Sequence, residues 1–337
     1  MPAAASVNTT ATFTERDVRK GVIETIALDT PVTSTLNKAP RPLVTTPEWE
    51  LKTYAARTAA GVIEGYEPTA NDFQNNLANK TMLKGRFIKQ WRPVAVTKEM
   101  KLMGNQYNRP DPLADNVMDK TKEIYSDVEF FLLSDTESVA PVSGTTASSG
   151  RSIFRWLSQD NGRFTDTDTT PATAYRTPAA SILVSKTNAS DVTETEIGAL
   201  ITSVATTRRK TGLRFVGLCT PLMRDQFDSF SRTDKSYTTS AFPVSRFSQT
   251  QGKIDREVTF YKSSNGTVEL ITSFDLDATV HFALLSPDLF SLGYAQGVKV
   301  NNEGASSQIE KRVIDVIYVP ECLNPGAHGK VITGATA

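Results

Sequence analysis

The sequence has few of the residues that metal sites, disulfides and membrane spans require. Its 337 residues include two cysteines and two histidines. Cys219 and Cys322 lie far apart, each in an apolar run, so we expect two buried free thiols and no disulfide or metal site. No run of about 18 apolar residues occurs, which excludes a membrane-spanning helix. The start at Met1 lacks the basic and apolar segments of a secretory signal, so we expect a cytoplasmic chain.

An excess of charge of either sign is also absent. The 37 basic and 37 acidic side chains balance. A protein that grips nucleic acid over a broad face needs clustered Lys and Arg, and this composition speaks against one. It leaves room for a protein that encloses nucleic acid without adhering to it. The hydrophobic fraction of 39%, with many polar residues, favours a thin, extended protein over a dense globule.

Catalytic motifs are missing. The sequence contains neither a phosphate-binding P-loop nor a Gly-x-Ser-x-Gly elbow. His281 sits in an apolar strand and is more consistent with a hydrogen-bonded core histidine than with a base, and His328 sits in a Gly-rich tail. Asp166 and Asp168 lie in a Thr-rich loop that we interpret as solvated. We therefore predict no catalytic, cofactor-binding or metal-binding residue and no enzymatic activity. A β-rich enzyme using Asp166 or His281 is the least favoured alternative.

The first hundred residues predict two extended elements. Residues 1–44 resemble an arm, with a short helix at 14–28 followed by prolines that keep the chain extended. Residues 45–98 predict a long hairpin with a polar tip at 64–72, because period-two alternation marks strands near residues 49–55 and 87–96. Two strands alone are marginally stable in water. No partner within the chain is apparent for either element.

A long amphipathic helix is predicted over 110–134. Its apolar side chains recur on one stripe at spacings of four, seven, four and three residues: Leu113, Val117, Ile124, Val128 and Phe131. The following region to residue 192 is rich in Thr, Ser, Gly and Pro and predicts loops and short strands. Its one strong core segment is Ile153–Leu157.

Residues 193–300 predict a compact α/β unit. Thr193 and Glu196 form a capping box for a helix that Gly212 should end. A buried strand at 213–219 follows, then a helix with Leu222, Met223, Phe227 and Phe230 facing inward, and a hairpin turning at Asn265-Gly266. A late strand at 309–320 and a flexible, Gly-rich tail after Asn324 complete the chain.

This order of elements resembles that of the tailed-bacteriophage major capsid proteins of the Hong Kong 97 fold. The more specific likeness lies in four segments of the C-terminal half: Val258–Ile271, Leu285–Phe290, Gly293-Tyr294 and Glu310–Ile314. The resemblance implies an α+β fold. It assigns 1–44 to an N-terminal arm, 45–98 to an E-loop hairpin, 99–192 to a P-domain with a spine helix at 110–134, 193–300 to an A-domain, and 301–337 to the returning P-domain strand and tail.

The resemblance also implies a function. A major capsid protein self-assembles through hexamers and pentamers into the icosahedral head shell that encloses double-stranded DNA, and it is part of the virion. Implied partners are copies of itself, a portal, and separate scaffolding or decoration proteins. The arm is too short to hold the cleavable scaffolding segment of many relatives, so scaffolding is expected either from a separate protein or not at all. No cofactor and no membrane contact are implied. The alternatives are an encapsulin-type nanocompartment shell protein and a tail or connector protein.

Subunit contacts are expected to come from the arm and the hairpin. The aromatic and charged residues expected there, as anchors and as determinants of register, are Trp49, Tyr54, Arg57, Glu64, Tyr66, Phe73, Arg86, Phe87 and Trp91. Trp49 and Trp91 have a second interpretation, in which they face each other across the hairpin and pack within their own subunit. The hairpin lysines Lys52, Lys80, Lys84 and Lys89 match no cross-linking role and are interpreted as solvated.

Overall fold

The structure is a computed structural model that describes residues 30–52, 61–67, 80–106, 111–233, 260–305 and 308–334. The expected helix at 14–28 lies outside these residues. The helices are α1 Pro31–Thr35, α2 Lys98–Gln106, α3 Pro112–Leu133, α4 Ile153–Trp156, α5 Glu194–Arg208 and α6 Pro221–Thr233. The strands are β1 Asn37–Pro40, β2 Glu48–Lys52, β3 Lys80–Lys84, β4 Ile88–Thr97, β5 Ile182–Leu183, β6 Leu213–Cys219, β7 Phe260–Ser263, β8 Gly266–Thr272, β9 Val280–Leu285, β10 Phe290–Ala305, β11 Ile309–Cys322 and β12 Gly329–Ile332. No helix in these ranges is long and apolar enough to cross a membrane.

A four-stranded sheet and the long helix α3 form one core. The strand order is β1-β10-β11-β4. The helix begins at Pro112 because the Asp111 carboxylate accepts a hydrogen bond from the backbone N–H of Leu113 (3.0 Å). Ile124 and Val128 are buried, and their neighbours in the core include Ile314 and Val316 of β11. The amphipathic helix expected from the sequence is confirmed.

A six-stranded sheet in the order β5-β12-β9-β6-β8-β7 forms a second core with α5 and α6. The Thr193–Glu196 capping box is present at the start of α5. The end of that helix differs from the prediction, because the C-cap is Arg209 in the left-handed conformation, whereas Gly212, also at positive φ, lies three residues further on. In α6, Met223 and Phe227 are fully buried as expected, whereas Leu222 is exposed.

The hairpin is shorter than the sequence indicates. Strand β2 pairs with β3 at 80–84, whereas β4 pairs antiparallel with β11 over 88–97. The prediction that residues 87–96 return the hairpin strand and have no partner in the chain was therefore wrong. Trp49 lies opposite Leu83 and Trp91 opposite Asp315, so the two tryptophans do not face each other.

The C-terminal quarter also differs from the expectation. Strand β10 starts at Phe290 and belongs to the four-stranded sheet, so residues 290–300 do not join the sheet of the compact unit. The expected flexible tail contains β12, which lies between β5 and β9. His328 beside it is fully buried, and its Nδ1 accepts a hydrogen bond from the Ser286 N–H (3.1 Å). Burial lowers the pKa of His328 to about 3, so this imidazole is neutral.

Candidate assembly surfaces

The base of the hairpin is anchored in the body of the subunit. Trp49 is buried, its ring centroid lies 5.8 Å from that of Trp156, and its indole Nε1 donates to the Cys322 carbonyl (2.9 Å). At the base of the hairpin, the N–H of Gly85 donates a hydrogen bond to the Pro47 carbonyl (3.0 Å). The stem is thereby fixed at its base, and Leu51 farther along β2 also packs against this core.

The outer face of the stem carries cross-strand ion pairs. Glu48 lies 2.8 Å from Lys84, and Glu50 lies 2.6 Å from Lys80. Met82 shares this face and is 57% exposed. Exposed pairs of this kind contribute little stability, so their effect is on strand register and on the charge pattern that a neighbour meets.

The described tip of the hairpin region, residues 61–67, is an exposed apolar turn. The N–H of Tyr66 donates to the carbonyl of Ile63 (3.0 Å), and Gly65 has φ +85°, a conformation that favours glycine. Val62 is 76% and Ile63 82% exposed. These two neighbouring side chains form a small exposed apolar surface.

An open groove of about 520 Å³ lies on the face of the four-stranded sheet away from α3. The residues that line it come from the segment before the hairpin, from β4, from a loop and from β11: Leu43, Val44, Thr45, Phe87, Lys89, Pro141, Ala147, Ser148 and Ile317. Leu43 is 66% exposed, and the Lys89 ammonium lies 3.7 Å from Asp315. Trp91, 58% exposed, is two residues from Lys89 and therefore shares its face. The lining of the groove is mainly apolar, and Lys89 is the one charged residue among the described residues that line it.

The structure sorts the nine expected contact residues into three groups. Glu64, Tyr66 and Trp91 are on the surface. Tyr54, Arg57 and Phe73 lie outside the described residues. The remaining three, Trp49, Arg86 and Phe87, are buried in their own subunit, which corrects the expectation that they are surface anchors. The alternative interpretation of Trp49, packing within its own subunit, is the one observed.

Four surface aliphatic residues were missed at the sequence level. They are Val62 and Ile63 in the tip and Leu43 and Val44 in the groove. A signal for the first two was present, because adjacent β-branched residues rarely occur in a polar turn bounded by glycines. The groove had no comparable signal, since its walls come from four separate stretches of the chain.

The residues considered for chemistry are occupied by structural contacts. Asp166 is buried against Arg86, not solvated as expected. Burial opposes its ionisation, but hydrogen bonds from Arg86, Thr169 and Ser138 outweigh that effect and lower its pKa to about 2. His281 Nε2 lies 2.8 Å from the Lys186 carbonyl oxygen. Within the described ranges no group of three or more His, Cys, Asp or Glu side chains could hold a metal ion.

A hairpin anchored at its base, a long helix under a four-stranded sheet and a separate six-stranded unit define the capsid subunit fold of the Hong Kong 97 type. The sequence model of the SU10 major capsid protein family matches residues 5–336. The chain belongs to this family, so it is a phage shell protein that assembles into oligomeric shells.

Solved structures agree on the fold. The capsid structure of cyanophage P-SCSP1u is similar with a TM-score of 0.60 at 10% identity, covering 97% of this chain and 94% of that one. A structure from Gordonia phage Cozz has a TM-score of 0.55 at 13% identity, with 98% and 96% covered. The SrpI encapsulin of Synechococcus elongatus has a TM-score of 0.54 at 10% identity, with 97% and 95% covered. The comparison with curated protein sequences finds no match.

Proposed function

We propose that this chain is the non-catalytic major subunit of an icosahedral phage head, built from hexamers and pentamers, that encloses double-stranded DNA in the virion. The observation that carries the proposal is the family match over residues 5–336. The partners proposed with it are a portal and separate scaffolding or decoration proteins, and assembly takes place in the host cytoplasm. The balanced charge of 37 basic and 37 acidic residues suits a wall that does not bind its cargo tightly.

The hairpin tip of one subunit is proposed to dock in the sheet groove of the next. Val62 and Ile63 on the tip and Leu43 and Val44 on the groove are exposed aliphatic side chains, and full burial of one such side chain contributes about 1.5–3 kcal/mol. Tip and groove are different surfaces of one chain. The contact is therefore heterologous and repeats from subunit to subunit, and it forms a ring when the rotation between neighbours closes.

Charge supports the same pairing. Glu64 and Glu67 follow the two aliphatic residues of the tip and are exposed, whereas Lys89 lines the groove, 3.7 Å from Asp315. Opposite charges that meet at a contact fix its orientation more than its affinity. The tip thus matches the groove in both polarity and charge.

The test of docking is a substitution at the tip. Ile63→Asp should abolish or strongly reduce shells, as seen by electron microscopy and light scattering, while the subunit stays folded because Ile63 is 82% exposed. Glu99→Lys, a charge change at another exposed site, is the control and should assemble normally. Unchanged shells from Ile63→Asp would overturn tip docking.

A charge exchange adds a positive test. Glu64→Lys and Lys89→Glu should each lower the yield of shells, and the double variant should recover it, because the two charges are exchanged across one contact. Failure of the double variant to exceed either single variant would contradict the pairing. A wild-type chain that forms no particles, even with the other phage head proteins, would contradict the shell function itself.

The cargo has its own test. Particles purified from infected cells should protect double-stranded DNA from nuclease. Particles that contain a protein cargo and no DNA would instead support the encapsulin-type alternative. The similarity to the SrpI encapsulin, at 10% identity, establishes the shared fold and does not favour this alternative.

A further inference from the structure

Arg86 occupies the joint between the hairpin and the body. It lies two residues after β3 and two before β4, and its side chain is 4% exposed. Its Nε donates to Asp166 Oδ2 (2.5 Å), and its Nη2 donates to Asp166 Oδ1 (3.0 Å) and to Asp168 Oδ2 (2.9 Å). A forked guanidinium contact of this kind fixes direction as well as distance.

The backbone at the joint is enclosed too. A Cβ on Gly85 would come within 2.9 Å of Val319, and a Cβ on Gly150 within 2.7 Å of the Arg86 carbonyl oxygen. The Ser148 hydroxyl donates to the Phe87 carbonyl (2.8 Å). The chain leaving the hairpin therefore passes through a closely fitted channel, and Arg86 is the ionic contact within it.

The acceptor of Arg86 is itself held in place. Asp166 accepts hydrogen bonds from Ser138 and Thr169, both at 3.0 Å. The Thr169 carbonyl in turn accepts from Arg151 Nη1 (3.1 Å).

Arg151 is fixed as well. Its guanidinium is bound to Glu137 and lies against the rings of Trp156 and Phe164, at 4.6 and 4.7 Å from their centroids. A network satisfied to this extent is rigid, so Arg86 is clamped to a fixed point of the body.

Stability is not the only effect that such a cluster can have. A buried ion pair often contributes no more than apolar residues of the same volume, and its best-attested benefit is geometric specificity. The geometry matters here because a small rotation at the base of the stem displaces its far end. Five residues span about 17 Å, so a rotation of about 10° at the base moves the far end by about 3 Å. A displacement of that size separates side chains that were in contact.

We propose that Arg86 is a positioning residue that sets the angle at which the hairpin leaves the subunit and thereby the curvature and size of the closed shell. The effect on the shell rests on the proposed function. The effect on the hairpin angle does not, so the two can be measured separately.

The hairpin angle is tested by double electron–electron resonance, which measures the distance between two spin labels. Met82→Cys places a label on the stem and Met118→Cys one on α3, both at exposed positions, whereas Cys219 and Cys322 are buried and do not react. Labelled chain is diluted into excess unlabelled chain. We expect one narrow distance distribution for the chain with native Arg86. Arg86→Lys should at least double the width of this distribution, because lysine keeps the positive charge but cannot make the forked contact.

Arg92→Lys is the matched control, because Arg92 makes a similar fork on Asp127 (2.7 Å for both bonds) away from the hairpin base. It should leave the distribution unchanged. If Arg86→Lys does not fold, the double variant Arg86→Met with Asp166→Leu is used instead, because it leaves neither charge of this pair buried. The same doubling of the distance distribution is expected for it. An unchanged width in the folded variant overturns the positioning role.

The shell is tested by the diameters of particles in electron micrographs. Wild type and Arg92→Lys should give one diameter, and Arg86→Lys should lower the fraction of particles with that diameter at least twofold, in favour of smaller, open or irregular ones. If the spin-distance distribution broadens but the particles keep one unchanged diameter, the link to shell curvature is overturned and the role of Arg86 in the hairpin angle stands. Absence of wild-type particles would count against the proposed function and not against the hairpin angle.

Discussion

Lys330 should make the stability of the subunit depend on pH in the alkaline range. Its side chain is 1% exposed and donates from Nζ to the Phe154 carbonyl and the Ser158 hydroxyl, both at 3.1 Å. Burial is the main cause that lowers its pKa from 10.5 to about 7; Arg163 and Arg155 lower it further, and Asp277 opposes them. At pH values between these two pKa values, Lys330 is therefore protonated in the unfolded chain and deprotonated in the folded chain.

The sign and size of the effect follow from this difference. The state that binds more protons gains stability as pH falls, so the free energy of unfolding should rise as pH increases from about 7 toward 10.5. One pKa unit corresponds to about 1.4 kcal/mol. The change attributable to Lys330 is thus on the order of 5 kcal/mol over the whole interval, of which about 3 kcal/mol falls between pH 7 and 9.5.

The assay is urea unfolding of the unassembled chain at several pH values, for wild type and Lys330→Met. The variant loses two hydrogen bonds at every pH, but it removes the titration. The free energy of unfolding of Lys330→Met minus that of wild type should therefore fall by about 3 kcal/mol between pH 7 and 9.5. Lys210→Met, at an exposed site, should show no such trend. A flat difference for Lys330→Met would refute the reasoning.

Two further substitutions test local features. Gly198 lies inside α5, and an added Cβ would meet nothing within 4 Å, so Gly198→Ala should raise the free energy of unfolding by about 0.5–1 kcal/mol in urea titrations; a decrease would contradict the open site. The buried carboxylate of Glu129 accepts backbone N–H groups from Val32 and Thr33 (2.8 and 2.7 Å). Glu129→Gln should cost about 1–3 kcal/mol and speed tryptic cleavage after Lys38, whereas unchanged proteolysis would show that this contact does not hold the arm.

Local signals allowed α3, α5 and α6 to be predicted from the sequence, whereas α2 was not predicted and α1 lies in a stretch that was expected to be extended. The apolar stripe of α3 and the capping box of α5 are set by residues within a few positions of one another. The positions of these two helices could therefore be inferred without knowing what they pack against.

Pairing between distant strands could not be predicted in the same way. The alternation in β4 shows which side chains share a face, but its partner β11 lies more than 200 residues along the chain. Nothing in the local pattern distinguishes β11 from the nearer strand β2, and the predicted hairpin is therefore too long.

The charge partners were likewise beyond the sequence. Asp166 lies in a Thr-rich stretch that reads as a solvated loop, and its partner Arg86 is 80 residues away. A sequence shows which charges exist and not which of them meet. Glu64 and Tyr66, which were expected at subunit contacts, are exposed, and their role in such contacts stays a prediction.

The most direct test is electron cryomicroscopy of particles purified from infected cells or assembled from this chain together with the other phage head proteins. The account predicts a closed icosahedral shell in which the density of residues 61–67 of each subunit lies in the groove formed by Leu43, Val44 and Ile317 of a neighbour. Tubes, small rings or monomers under these conditions would contradict the shell function. A closed shell with that groove empty would contradict the way in which its subunits are joined.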